Sequence, residues 1–171
     1  MNFLKIIILF VILISKANAN TIYNLIKIPN LEIYENNLAN KVIYLKANKP
    51  FQVGIRNNNV TCFNSTDKTI KNNFNIIKKN LNKYDTNFLK KINLKYVILC
   101  ENLTVAGINS AGVPNYKMRT LIIDLKFSKK HFERVIHHEI FHLINDSYKD
   151  LFSYKDWKEF NEKNFEYAEC S

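Results

Sequence analysis

The chain has 171 residues, of which 47% are apolar and 13% aromatic, with no internal repeat, which excludes a repeat array and suits one globular domain. Its formal net charge of +10 comes from lysines scattered through Asn-rich segments, not from one block, so nucleic acid is not an expected partner.

Residues 1–19 read as an export signal. Lys5 precedes an apolar run, 6–14, and Ala17-Asn18-Ala19 forms a small-x-small cleavage site. The run is shorter than the roughly 20 residues a spanning helix needs, so no stable membrane insertion is expected once the signal is removed. Cleavage after Ala19 gives a secreted or periplasmic protein starting at Asn20, and losing Lys5 and Lys16 lowers the charge from +10 to +8. Residues 20–171, about 150 in all, suffice for one domain with its own core. Of the three cysteines, Cys62 and Cys100 are the favoured disulfide pair, and Cys170 is left over. Sequons at Asn59, Asn64, Asn102 and Asn145 bear on the chain only in a glycosylating source.

Along the mature chain, 41–45 and 51–55 read as strands ahead of the turn-rich Asn57-Asn58-Asn59. Asp67 is placed to cap a helix through about Asn82, with Ile70, Phe74, Ile77 and Leu81 at helical spacing, and 86–92 forms a second, short helix. Residues 95–100, Lys-Tyr-Val-Ile-Leu-Cys, suit a buried strand. Gly107 and Gly112 mark a loop ending near Pro114, and 119–127 alternates as a strand does.

From Ser128, a candidate N-cap, the period changes to that of a helix reaching about Asn145, with Phe132, Ile136, Ile140 and Leu143 on its core face. This helix carries His137-His138-Glu139-Ile140-Phe141-His142, which contains the zinc-binding pattern H-E-x-x-H. His138 and His142, four residues apart, face the same way one turn apart and can reach one ion, while Glu139 lies about 100° round the helix, placed as a base for a metal-activated water. His131 is about 10 Å from His138 along the axis and cannot share that ion. His137 points about 100° away, as a satisfied histidine on the helix flank.

The residues after His142 limit the family. Metzincins have Gly three residues on and His three beyond that; here Asn145 and Tyr148 stand in those places. The run Asn161-Glu162-Lys163-Asn164-Phe165-Glu166 has the form of the second helical motif of gluzincins, with Glu162 twenty residues after His142. The region from His138 to Glu166 therefore resembles a gluzincin zinc metallopeptidase. That resemblance implies an α+β, zincin-like domain with a small mixed sheet and an active-site helix. It makes His138, His142 and Glu162 the Zn2+ ligands, Glu139 the general base and Glu166 an acid orienting a ligand histidine.

The stretch from His138 through Trp157, Phe160, Asn161, Phe165 and Tyr167 is also similar to secreted bacterial zinc-binding peptidases, in which a later acidic motif supplies the ligand. That leaves Glu166, Glu159 and Asp146 as alternatives to Glu162. The implied activity is hydrolysis of a peptide or protein substrate. His131, Tyr148, Tyr154 and Tyr167 are candidate oxyanion donors, and strand 119–124 is a candidate edge for an extended substrate. The competing expectation is a secreted basic binding or effector domain whose metal site is structural or degenerate.

Overall fold

A computed structural model describes residues 31–55, 58–127 and 129–151. The export segment 1–19, Ser128, and residues 152–171 with Glu159, Glu162 and Glu166 lie outside them. The described chain is a mixed α+β structure. Its order is β1 (Leu31–Asn36), β2 (Ile43–Ala47), β3 (Phe51–Ile55), β4 (Asn58–Phe63), α1 (Asp67–Leu81), α2 (Thr86–Lys91), β5 (Tyr96–Val105), β6 (Ile108–Asn109), β7 (Gly112–Asn115), β8 (Thr120–Asp124) and α3 (Lys129–Ser147).

β5 organises the fold because it serves two sheets. Its first half lies between β2 and β8, parallel to both, while its second half pairs antiparallel with β4 and β6. β1 closes one side against β2, and β7 closes the other against β8, both antiparallel. The alternation of β5 explains its central place. Val97 and Leu99 face one core with Leu121 and Ile123, and Tyr96, Ile98 and Cys100 face a second with Ile122, Leu45 and Val60. A strand apolar on both faces must be covered on both. Helices cover the first face through Ile70, Phe74, Ile77 and Leu81 of α1, Leu89 of α2, and Phe132, Ile136, Ile140 and Leu143 of α3. The β3–β4 hairpin covers the second, pinned to β5 by the Cys62–Cys100 disulfide, whose Cα atoms are 5.9 Å apart. Truncating Leu99, which is fully buried, to Ala costs about 2–5 kcal/mol.

Several elements differ from the sequence expectation. Thr66, not Asp67, caps α1: its hydroxyl accepts the Thr69 N–H at 3.2 Å, and Thr69 Oγ1 accepts the Thr66 N–H in return. Asp67 is the first helical residue and pairs with Lys46 at 2.6 Å. Asn58 and Asn59 belong to β4 and not to a turn, because they pair with Ile55 and Gly54 across the hairpin. The loop expected up to Pro114 contains β6 and β7. Finally, β8 is not an edge: β5 and β7 flank it, and β7 takes the outer position. Among the described residues no helix is long and apolar enough to cross a membrane.

Candidate functional site

α3 brings the histidine pair to the surface by the same periodicity that buries its core side. Phe132, Ile136, Ile140 and Leu143 are at most 1% exposed, and His138 and His142 stand exposed on another face. Their rings meet edge to face with centroids 4.7 Å apart, and the two Nε2 atoms approach to 3.1 Å. Two nitrogens on a tetrahedral zinc at 2.0–2.1 Å are separated by about 3.4 Å, close to the spacing of this pair. Imidazoles so disposed fit Zn2+ as two of its ligands.

Glu139 sits at the boundary between the core and the histidine face and is buried, 8% exposed. Burial alone pushes its carboxyl up to about 7. Among the described residues none donates a hydrogen bond to it. β7 lies directly over it: a Cβ built on Gly112 would stand 2.7 Å from Glu139 Cγ and 3.2 Å from Cδ.

Among the described residues β7 pairs only with β8, which leaves its other edge unpaired beside this carboxyl. The Asp124 N–H donates to the Ala111 carbonyl at 3.0 Å, so residues 111, 113 and 115 turn their main-chain groups toward β8 and residues 112 and 114 turn theirs outward. Pro114 is accommodated because its missing N–H would have pointed away from β8. The outward Gly112 carbonyl accepts the Ser110 hydroxyl at 2.8 Å.

No family model matches the chain, and neither does any curated protein or solved structure.

The remaining candidates separate clearly. His137 stands on the flank as expected, its Nδ1 within 2.6 Å of the Tyr84 hydroxyl and its Nε2 within 3.5 Å of Lys83 Nζ. Burial raises the Tyr84 phenol above its usual range. His131 contacts Phe127 edge to face, away from the pair. Tyr148 packs half-buried against the helical core. Asp146 lies one turn beyond His142, yet among the described residues no third His, Cys, Asp or Glu joins the histidines in a group able to hold a metal. Glu162, Glu159, Glu166, Tyr154 and Tyr167 fall outside the described residues. Gly112 and Tyr84 are the site's neighbours that sequence reading missed. A glycine and a proline two residues apart read as a loop, and nothing in a lone tyrosine marks it as a partner of His137.

Proposed function

We propose that the chain is a zincin-like, zinc-dependent peptidase, exported through residues 1–19. The observation that carries this reading is the approach of two exposed imidazole nitrogens to 3.1 Å beside a buried carboxyl, all three on one helix packed beneath β7, whose outer edge is unpaired among the described residues. His138 and His142 hold the ion, with Glu162 as the third ligand. When bound, zinc supplies Lewis acidity that polarises a peptide carbonyl and acidifies water toward a pKa of about 7.

The chain's own residues do the rest. Glu139 takes a proton from the attacking water and returns it to the leaving amine, the part a positioned carboxylate plays in general acid–base catalysis. An extended peptide pairs with the outward main chain of β7, the Gly112 N–H donating to a substrate carbonyl and the Pro114 carbonyl accepting a substrate N–H. This gives β7 the part expected of β8.

Zinc content and casein cleavage of the mature protein test the reading. Wild type is expected to hold one zinc and cleave casein, and Glu139→Gln to keep the zinc and lose cleavage. A fully active Glu139→Gln sinks the mechanism. A zinc-free, inactive wild type returns the chain to the class of basic binding domains. Loss of zinc in Glu162→Ala identifies the third ligand, and undiminished zinc moves that role to another acid.

A further inference from the structure

Gly112 is not a glycine because of its backbone conformation. Among the described glycines only Gly107 has a positive φ, of 81°, so an alanine at 112 meets no backbone strain. What it meets is Glu139. The ideal Cβ position is 2.7 Å from Glu139 Cγ, 3.2 Å from Glu139 Cδ and 3.3 Å from Val135 Cγ1, and the first of these is closer than real side chains tolerate. Leu121 and Ile123 of β8 face the helices, and Gly112 pairs with Ile123, so its absent side chain would point at α3. Neither partner can easily retreat. Ile136, Ile140 and Leu143 anchor α3 in the core, β7 is tied to β8 through four residue pairs, and Glu139 is itself buried between the two elements.

We infer that Gly112 is the positioning residue for Glu139: the bare strand seats the carboxyl stem against the sheet edge and thereby fixes where the carboxyl stands relative to anything bound along β7. This rests on the peptidase reading for its consequence, but the contact itself does not. The same glycine supplies the outward N–H of the edge, so the register of a bound peptide and the position of the proton-transferring group are set at a single residue. Any side chain at 112 displaces Glu139 from that register while leaving His138 and His142, on the exposed face of α3, in place.

A mutant cycle with two readouts tests the inference. Gly112→Ala should lower Tm by roughly 3–9 °C, as overpacking does in a domain of this size. The drop should persist in a Glu139→Gln background, where Cγ and Cδ remain, and largely vanish in a Glu139→Ala background, where both are gone. On casein, Gly112→Ala should lower kcat about 100-fold, the scale expected of a misplacement near 1 Å, with KM within about threefold of wild type and zinc content unchanged. An equal Tm drop in all three backgrounds overturns the inference, as does a Gly112→Ala enzyme with wild-type kcat. If Gly112→Ala fails to fold, folding of Gly112→Ala/Glu139→Ala supports the contact, and failure of both overturns it. A wild type without peptidase activity refutes the functional reading alone, since the Tm cycle still decides whether Gly112 seats Glu139.

Discussion

The Tyr84 hydroxyl and His137 Nδ1 share a hydrogen bond of 2.6 Å, and through it the turn between α1 and α2 grips the flank of the helix that carries His138. Lys83, the neighbouring residue, adds an ion pair to Glu133 at 2.5 Å, one turn before His137. Lys83 and Glu133 are largely exposed and contribute little. The half-buried Tyr84 bond contributes more. Tyr84→Phe keeps the ring packed on Phe88, 5.3 Å away, and removes only the hydroxyl. It is expected to lower unfolding free energy by about 1 kcal/mol in urea titrations. An unchanged midpoint means that the bond has no net value in water.

Burial of Glu139 opposes stability wherever its carboxyl must ionise. In protein kept free of metal by a chelator, burial holds its native carboxyl at about 7 against an ordinary value of 4.5. Between these values the native state binds a proton that the unfolded state has released, so this group's contribution is fully present below pH 4.5. It declines as pH rises and is gone above about 7. Glu139→Gln carries no charge at any pH. The metal-free variant should match wild type near pH 4 and exceed it above pH 7 by up to about 3 kcal/mol. Subtracting the two stability curves cancels every other titration, and a difference that does not grow between pH 4.5 and 7 rules out the buried, raised carboxyl.

Much of this arrangement was legible in the sequence because it rests on local periodicity. Ile70, Phe74, Ile77 and Leu81 predicted α1, Phe132 to Leu143 predicted the buried side of α3, and the β-branched run before Cys100 predicted the start of β5. The elements that escaped were set by partners distant in sequence. β1 is mostly exposed, so it lacks the alternation that marks a half-buried strand. β7 contains a glycine required by Glu139, 27 positions away, and a proline tolerated because its nitrogen faces away from β8. Both look like loop residues until the pairing is known. The histidine pair was legible because a spacing of four residues places both rings on one helix face, whereas a partner contributed by a distant segment has no such local code.

Glu101 ties the start of α1 to the sheet, and its pKa tells how. Burial alone would raise it, but the Thr69 hydroxyl, the Thr66 N–H at 2.9 Å and Lys126 together outweigh burial and hold it below 4.5. A carboxyl depressed in the native state stabilises above the unfolded value and loses that contribution as pH falls through its native pKa. Glu101→Gln should therefore cost about 2 kcal/mol at pH 7 and progressively less below pH 4.5. Thermal unfolding of both proteins across pH 3–7 checks this, and parallel Tm curves would contradict it.

The disulfide acts through the unfolded chain. Cys62 and Cys100 are separated by 38 positions, and the closed loop contains all of α1 and α2. Closing a loop of that length removes unfolded-state entropy equivalent to about 4 kcal/mol in the chain-entropy model. Both sulfurs lie in the core beneath the β3–β4 hairpin, where Cys62 is 1% and Cys100 0% exposed, so reduction in the native state is slow and the loss appears first in the unfolding equilibrium. Cys62→Ala/Cys100→Ala should retain the helix-covered core, which the bridge does not touch, and unfold at a much lower urea concentration. Because the site lies on the opposite face of β5, the zinc content of the folded double variant should equal that of wild type. Loss of zinc with the fold intact would mean that the two faces of the sheet are coupled through β5, contrary to the layering of the two cores.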